Sequence, residues 1–361
     1  MYDIKQIGTI PPPYGGVSVY IKRLIYNLTN DGYQVGGYYV SDIINKEFLH
    51  SPLFEKWTWL ETHKYPIKIW KFLKSISKYK IIHSHCSLEI MAYLWTAKVL
   101  FNKDIIITIH NSMVLNFYKN TNFINRFFLN KMLQSNNITW IAVSQEGKEQ
   151  MELLPIKPKK SVLVLPAYIP IEQTEYSPLS QSMQNYIDSH KKIISFYGHS
   201  FMLNSGEDIY GFEFALKMYA EIHKEDKTIG LVFCIAETKD KNKIENLHKI
   251  ATELNIDNKV YWQIGAINNI RSLWHQTHIY IRPTSTDGDS VAIREALDEG
   301  AIVIASDVCL RPNRVITYKH NNLDDFLSKI KFNLIKPKRE AQYNYELYYK
   351  MKDIYKSILT K

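Results

Sequence analysis

Residues 278–305 read HIYIRPTSTDGDSVAIREALDEGAIVIA, and this stretch decides the fold class. Two short, continuous apolar runs, at 278–281 and 301–305, flank an amphipathic stretch at 289–299. Continuous apolar runs of this length are typical of strands that are buried on both faces. Because a helix is the usual connection between two parallel strands, the stretch predicts a strand–helix–strand unit of a parallel sheet.

The same alternation extends along the chain on both sides of this stretch. Further amphipathic helices are predicted at 17–29, 88–100, 209–223 and 241–254. The other β-rich runs lie near 3–8, 35–40, 80–83, 105–109, 138–143, 161–165, 192–197, 229–235, 259–264 and 315–317. The sequence therefore predicts an α/β protein with two Rossmann-like domains that face each other across a cleft.

Domain boundaries follow from a polar, proline-containing stretch at 166–190. We predict an N-terminal Rossmann-like domain over 1–170, a linker over 171–190 and a C-terminal Rossmann-like domain over 191–335. The segment 336–361, rich in Tyr and Lys, is predicted to form a helix that packs back on the N-terminal domain.

Composition limits the classes of function. The chain has 361 residues, with 45 Lys and Arg against 36 Asp and Glu, so its formal net charge is +9. A basic chain favours anionic partners such as phosphorylated small molecules or anionic lipid. We expect no nucleic-acid partner, since zinc-finger spacing, an RNP-like strand and a basic leucine-zipper pattern are all absent from the sequence. No apolar run approaches the ~18 residues that span a bilayer and the first strand follows no signal-peptide pattern, so we expect a cytoplasmic protein.

Residues that follow each strand are the first candidates for a site, because ligands of doubly wound sheets bind beyond the carboxyl ends of the strands. Gly15 and Gly16 open the first helix, where backbone N–H groups can approach a phosphate, although a tight turn explains the same pair. His110 ends an apolar run, as a site residue or as a cap. We assign His83 and His85 to opposite faces of their strand, and therefore predict no metal site there.

The loop within the opening stretch carries the strongest signal. Asp289 or Ser290 can cap the following helix, whose first-turn N–H groups then face the cleft. Glu295 lies almost two turns into that helix, where its carboxylate can accept hydrogen bonds from vicinal hydroxyls such as those of a ribose. Asp287 is placed to accept from a sugar hydroxyl. An N-cap combined with an acidic surface loop is the alternative explanation.

Several of these features together resemble glycosyltransferase family 4, whose members are retaining enzymes of the GT-B fold. The resemblance rests on Gly15–Gly16, His110, Val143–Ser144 and the Asp287-x7-Glu295 spacing, which is similar to the Glu-x7-Glu motif of the family. The stretches 282–297 and 305–312 resemble a branch found in bacterial surface-polysaccharide clusters. The resemblance covers nearly the whole chain.

The resemblance implies a nucleoside-diphosphate sugar as donor substrate, with neither a cofactor nor a metal. It implies that Glu295 binds the ribose, that Asp287 holds the donor sugar, and that His110 contacts this sugar near the reacting carbon. The other donor-binding residues it implies are Gly15, Gly16, Gly288, Asp289 and Ser290, and we assign Gly198 to donor binding as well. The implied acceptor is a saccharide, either a free oligosaccharide or one linked to a lipid at the inner surface of the membrane.

The chain departs from the family where an Arg or Lys, and then a Lys-Gly about one turn later, usually contact the phosphates. The matching positions read Gly198–His199 and Tyr210–Gly211. We hypothesise that Arg282, at a strand end, supplies the positive charge, with Arg311 or Arg314 assisting.

Two basic stretches, 57–80 and 115–134, interleave Lys and Arg with aromatic residues. Such a stretch can lie on anionic lipid, and a helix packed on the core with a solvated Lys face is the alternative. Because a lipid-linked acceptor requires membrane contact, we expect the protein to be peripheral on the inner face of the membrane.

Two further functions stay open at this point. Asp287-Gly288-Asp289 has the spacing of a DxD motif, which in single-domain glycosyltransferases holds a divalent cation. The chain lacks the Arg and Lys residues that contact the phosphates in the family. It could therefore also be a catalytically silent GT-B protein that binds a partner glycosyltransferase or a glycan.

Overall fold

The structure is a computed structural model, in which the chain forms two compact units. The first unit comprises Met1–Ile169 together with Tyr345–Lys361, and the second comprises Pro170–Asn344. The structure describes residues 2–11, 15–40, 58–60, 67–85, 88–110, 114–171, 178–204, 206–236, 239–265, 267 and 270–360.

A seven-stranded parallel sheet forms the centre of the first unit. Its strands are β1 (Tyr2–Gly8), β2 (Val35–Val40), β3 (Thr58–Leu60), β4 (Tyr79–Ser84), β5 (Asp104–Ile109), β6 (Ile138–Ala142) and β7 (Leu163–Val164). They lie in the order β3-β2-β1-β4-β5-β6-β7. The strand order therefore reverses between β1 and β4, which is where ligands bind in open α/β sheets.

Helices cover both faces of this sheet. They are α1 (Gly16–Asn30), α2 (Ile67–Ile76), α3 (Met91–Phe101), α4 (Val114–Asn120), α5 (Phe123–Leu133) and α6 (Gln145–Glu152). Along β5, Ile105 and Ile107 pack into the core that includes α2, α3 and α5, whereas Ile106 packs into the core that includes α1. Successive side chains of a strand point to opposite faces, so a strand buried on both faces must be apolar throughout.

The second unit contains a six-stranded parallel sheet in the order β12-β11-β8-β13-β14-β15 and a small antiparallel hairpin of β9 and β10. The strands are β8 (Lys192–Gly198), β9 (Leu203–Asn204), β10 (Glu207–Asp208), β11 (Ile229–Ile235), β12 (Val260–Ile264), β13 (Ile279–Arg282), β14 (Ile302–Ser306) and β15 (Ile316–Tyr318). The helices are α7 (Gln181–Asp188), α8 (Phe212–Glu225), α9 (Lys241–Glu253), α10 (Ile270–Gln276), α11 (Val291–Asp298) and α12 (Leu323–Leu334). Here the strand order reverses between β8 and β13.

The last helix, α13 (Glu346–Leu359), belongs to the first unit. Its residues Tyr348, Met351 and Tyr355 are buried in the same core as α1. The Tyr348 hydroxyl donates a hydrogen bond of 2.5 Å to Asp31 Oδ2, and Lys352 Nζ donates one of 2.8 Å to the same oxygen. The end of the chain is therefore an integral part of the first unit.

The predicted α/β class with two Rossmann-like units is confirmed, and the structure differs from the sequence-based expectation in two segments. Helix α7 lies inside 171–190, the predicted linker, because Met183 and Ile187 supply an apolar face that packs into the second unit. The segment 336–344, predicted as part of the last helix, is non-helical and belongs to the second unit. Within the described residues, none of the helices is both long enough and apolar enough to cross a membrane.

Candidate functional site

In the first unit, the carboxyl ends of β4 and β5 bring two histidines together. His85 follows β4 and His110 follows β5, and 3.0 Å separates Nδ1 of His85 from Nε2 of His110. The backbone N–H of His85 donates to the carbonyl of Ile7 at 2.8 Å, which holds it beside β1. The ring of Tyr20, from α1, lies edge-on to both imidazoles, at centroid distances of 5.7 and 6.0 Å. His85 thus lies where the strand order reverses, and His110 contacts it from the end of the next strand.

The expectation that His83 and His85 point to opposite faces is wrong. Their ring centroids are 3.9 Å apart, since residues two apart along a strand share a face. Among the described residues, no group of three or more His, Cys, Asp and Glu is arranged to hold a metal ion.

Burial keeps this histidine group neutral. It lowers the pKa of His110 to about 4, and it lowers the pKa of His83 and of His85 well below the ordinary value. A neutral imidazole has one donor and one acceptor nitrogen. His110 can therefore orient a hydroxyl group through a hydrogen bond but does not carry a permanent positive charge at neutral pH.

The glycines at the start of α1 are exposed, as a ligand-binding loop requires. The backbone N–H of Gly15 donates to Ser18 Oγ at 3.1 Å, and this hydroxyl donates to the Gly15 carbonyl at 3.0 Å. Gly16 is the first residue of the helix. The role of Gly15 and Gly16 at a diphosphate stays a prediction.

In the second unit, the centre of the candidate site is an ion-pair cluster around Asp287. Arg282, the last residue of β13, donates from Nε to Asp287 Oδ2 at 3.0 Å and from Nη2 to Oδ1 at 3.2 Å. Arg311 donates from Nη1 to Oδ2 at 2.8 Å. All three side chains are buried. Two guanidinium groups share one carboxylate, so the cluster retains one positive charge.

This geometry differs from the expectation that Asp287 accepts hydrogen bonds from a sugar. Both carboxylate oxygens already accept from arginines, and Oδ1 also accepts from the backbone N–H of Gly288. Burial alone would raise the pKa of Asp287, but Arg282 and Arg311 outweigh it and hold this pKa below the usual range. Asp287 is thus a permanent anion whose place in the structure is to hold the two arginines.

Arg282 reaches the position at which this chain lacks the cation of the family pattern. Its Nη1 donates to the carbonyl of Tyr197 at 3.3 Å, and its guanidinium lies 5.0 Å from the ring centroid of Tyr210. Tyr197 directly precedes Gly198 at the end of β8. A positive group therefore lies at this strand end, although it comes from the neighbouring strand β13.

Packing explains why a glycine occupies position 198. A Cβ atom at this position would lie 2.3 Å from the ring of Phe212, the first residue of α8. Gly211, with φ of +72°, would place a Cβ 2.3 Å from the carbonyl oxygen of Pro283. The close approach of α8 to this strand end therefore accounts for the glycine, and the donor-binding role of Gly198 stays a prediction.

The N-terminus of α11 follows directly on this cluster. Ser290 is the N-cap residue, but its side chain makes no capping hydrogen bond. Both carboxylate oxygens of Asp289 accept from Arg294 Nε, at 2.8 and 2.9 Å. Gly288 has open space around the position of a Cβ. Of the two residues predicted as N-cap, Asp289 and Ser290, the structure has Ser290 at that position. The Ser290 side chain does not cap the N–H groups of the first turn.

Glu295 is buried at the second turn of α11. Its Oε2 accepts from Trp274 Nε1 at a donor–acceptor distance of 3.4 Å. Trp274 lies on α10 and is fully buried. Trp274 could not be found from the sequence, because no periodic signal links two positions that are 21 residues apart.

Comparison with known proteins supports the α/β fold with two Rossmann-like units. Residues 14–168 match the family model described as Glycosyltransferase Family 4. A search of curated proteins gives no match.

Solved structures resemble the chain over almost its whole length. A glycosyltransferase from Rickettsia africae has a TM-score of 0.71 at 16% identity, with 100% of this chain and 99% of that one covered. Anabaena HepE in complex with UDP has a TM-score of 0.69 at 11% identity, with coverage of 99% and 96%. WaaG, a glycosyltransferase involved in lipopolysaccharide biosynthesis, has a TM-score of 0.60 at 12% identity, with coverage of 92% and 90%. At such identities these likenesses show the fold, which is GT-B.

We predict that the stability of the protein falls when the pH is lowered below about 6.5, the ordinary histidine pKa. Once unfolded, the three buried histidines bind protons in this range, whereas in the folded protein their pKa values lie lower, so acid favours unfolding. Each histidine contributes at most about 1.4 kcal/mol per pH unit in this window. Urea unfolding at pH 7.0 and 5.5 measures the loss.

The variant His110→Gln removes one of these histidines, so its loss of stability between pH 7.0 and 5.5 should be smaller than that of the wild type. An equal loss in both proteins would contradict a lowered pKa of His110.

Proposed function

We propose that this GT-B chain, whose residues 14–168 match Glycosyltransferase Family 4, is a retaining glycosyltransferase. It transfers a hexose or related sugar from a nucleoside-diphosphate sugar to a saccharide acceptor, which is lipid-linked, in the synthesis of a bacterial surface polysaccharide. The observation that carries the proposal is the pair Arg282 and Arg311, held by Asp287 beside the N-terminus of α11.

A diphosphate has the chemistry that this arrangement favours. The cluster of Arg282, Asp287 and Arg311 retains one positive charge, and the N-terminal N–H groups of α11 add the positive end of a helix. Such helix ends bind phosphate readily, and the buried positive charge attracts the anion through space, because the nitrogens of Arg311 already donate to Ser306, Asp287 and Thr284. The leaving diphosphate would be stabilised here, and this proposal requires no metal.

Two further residues, one in each unit, would contact the donor. Glu295, buried and held by Trp274, would accept hydrogen bonds from the ribose hydroxyls. His110, neutral and oriented by His85, would contact the donor sugar near the reacting carbon. UDP and UDP-glucose complexes of HepE support a nucleotide donor for this fold.

The reaction we propose needs no side-chain nucleophile. The acceptor hydroxyl oxygen forms a bond to the anomeric carbon on the face from which the diphosphate departs. The bond between this carbon and the phosphate oxygen breaks, and the leaving phosphate takes the proton of the acceptor. The negative charge that develops on the diphosphate is the charge that Arg282, Arg311 and α11 would stabilise.

Exposed apolar side chains on α5 support contact with a membrane surface. Phe123, Ile124 and Phe127 are 80%, 62% and 44% exposed, and Arg126 and Lys131 lie on the same helix. Aromatic and aliphatic side chains interleaved with cations suit the interface of an anionic bilayer. The likeness to WaaG supports a role in the synthesis of a surface saccharide. The side chains of 57–69, in the other basic stretch, lie outside the described residues.

The DxD alternative loses support from the same geometry. The carboxylate of Asp287 accepts from Arg282 and Arg311, and that of Asp289 accepts from Arg294. A divalent cation at these oxygens would have to displace the guanidinium groups. The second candidate function is therefore the catalytically silent GT-B protein, which the absence of a cation at Gly198–His199 favours.

We predict that one family of nucleoside-diphosphate sugars stabilises the protein in the presence of EDTA. A ligand at ~100 times its Kd adds about 2.7 kcal/mol to the free energy of unfolding, which raises the melting temperature by a few degrees. Thermal unfolding with UDP-, GDP-, dTDP- and ADP-sugars, each with EDTA and with magnesium, measures this effect. Glu295→Gln should lose most of the shift.

Each other outcome of this panel has a meaning. Stabilisation only with magnesium would favour the DxD reading, and a complete lack of stabilisation by these donors would favour the silent protein.

We predict that Arg282→Ala lowers turnover of the stabilising donor by ~10²-fold or more, the size of effect seen when one transition-state donor group is removed. Arg282→Lys keeps the charge but loses the paired hydrogen bonds to Asp287, so its turnover should lie between that of the wild type and that of Arg282→Ala. Arg339→Ala removes an exposed arginine of the same unit and should leave turnover unchanged. A decrease of less than threefold in Arg282→Ala would overturn the role of Arg282.

We predict that the protein floats with anionic vesicles at low salt, and that the triple variant Phe123→Ser, Ile124→Ser, Phe127→Ser does not. The matched control exchanges three exposed apolar residues of the second unit, Leu310, Phe332 and Ile335, for serine. Both variants lose similar apolar surface, so only the loss of a specific membrane contact separates them. Failure of the wild type to float would refute membrane association.

A further inference from the structure

A chain of buried hydrogen bonds runs from His110 to the last helix of the molecule and back to the sheet. His110 Nε2 and His85 Nδ1 are 3.0 Å apart, and His85 Nε2 lies 2.9 Å from Gln6 Oε1. Gln6 Nε2 donates to the Tyr355 hydroxyl at 2.8 Å. This hydroxyl also contacts His83 Nδ1, and His83 Nε2 lies 2.8 Å from Thr108 Oγ1.

All members of this chain except His110, which is half-buried, are closed off from water. Gln6, His83 and Tyr355 are completely buried, and His85 and Thr108 are buried as well. In such surroundings an unpaired donor or acceptor costs more free energy than a hydrogen bond contributes, so each group must use the partner it has. The direction of one hydrogen bond therefore fixes the direction of the next.

The orientation of the Gln6 amide in this structure, with Oε1 towards His85 and Nε2 towards Tyr355, sets this direction. The amide Oε1 faces His85 and only accepts, so His85 carries its proton on Nε2 and accepts at Nδ1. His110 must then carry its proton on Nε2. On the other side, the amide Nε2 of Gln6 only donates, so the Tyr355 hydroxyl gives its own proton to His83 Nδ1. In this arrangement all three histidines are protonated on Nε2.

We propose that Tyr355 is a positioning residue for His110: through Gln6 and His85 it holds His110 as the Nε2–H tautomer, with Nδ1 as the hydrogen-bond acceptor for a substrate hydroxyl. The tautomer part stands on the geometry of the first unit alone. The substrate part rests on the proposed function. Tyr355 suits this task because one hydroxyl accepts from Gln6 and donates to His83, which couples the two ends of the chain.

The variant Tyr355→Phe tests this proposal. Without the hydroxyl, neither orientation of the Gln6 amide has a partner at that end, so the amide loses its preference and the tautomer of His110 becomes mixed. Long-range nitrogen–proton NMR of protein labelled with ¹⁵N-histidine reads the tautomer directly. We expect the Nε2–H form for His83, His85 and His110 in the wild type, and a mixture at His110 in Tyr355→Phe.

Tyr348→Phe is the matched control. It removes a second tyrosine hydroxyl from the same buried face of α13, one that donates to Asp31 and takes no part in the chain. If loosening of α13 were the cause, both variants would change the histidine spectrum alike. Thr108→Val, which removes the far end of the chain without touching α13, is expected to shift the tautomer in the same sense as Tyr355→Phe and keeps the test available should Tyr355→Phe not fold.

Turnover separates this proposal from the proposed function. We expect kcat to fall about tenfold in Tyr355→Phe, which corresponds to 1.36 kcal/mol, with KM for the acceptor unchanged. A wild-type histidine spectrum in Tyr355→Phe, or an Nδ1–H form of His110 in the wild type, would overturn the positioning role. Absence of turnover by the wild-type protein would instead overturn the proposed function, and the NMR result would still decide the role of Tyr355.

Discussion

The carboxylate of Asp287 organises the candidate site of the second unit. It is buried between Arg282 and Arg311, which come from the end of β13 and from the loop after β14. Removing one member of such a buried cluster costs about 3–5 kcal/mol, because the remaining charge is left without a partner in a medium of low polarity. The loop that carries Asp287 is thereby held in one conformation, and α11 begins where this loop ends. The direction of the helix N-terminus and the place of the two guanidinium groups are thus set by one interaction.

The candidate site of the first unit is built on a neutral histidine rather than on an ion pair. Burial removes the charge of His110, and hydrogen bonds to His85 and Gln6 then decide which nitrogen donates. Both units place their polar groups at the carboxyl ends of parallel strands, where the strand order reverses. The hydrophobic strands supply the rigid positions and the loops supply the chemistry.

Much of the fold could be predicted because its physical cause is local. A strand buried on both faces is a continuous apolar run, and 105–109 or 229–235 can be read directly from the sequence. Helix α7 escaped the sequence analysis because two apolar residues, Met183 and Ile187, are too few to distinguish a helix from a polar linker. The loop at 287–290 was found because glycine and acidic residues between a strand and a helix have a local meaning.

The partners of the site residues could not be predicted in the same way. Arg311 lies 24 residues from Asp287, and Tyr355 lies 272 residues from His83. No periodicity links such positions, and only the folded sheet brings them together. The role of Asp287 illustrates the result: its spacing to Glu295 suggested a sugar contact, whereas its side chain is already occupied by arginines. Whether a carboxylate is available to a ligand depends on its neighbours in space.

The discontinuity of the first unit has a consequence for how the protein is made. Its core contains α13, which the ribosome synthesises only after the whole of the second unit, residues 170–344. Domains fold during synthesis as their residues emerge, so the second unit has all of its residues available first. The core of the first unit stays incomplete until Tyr348, Met351 and Tyr355 have been synthesised. The polar chain around His110 is therefore completed last, when the helix that carries Tyr355 leaves the ribosome.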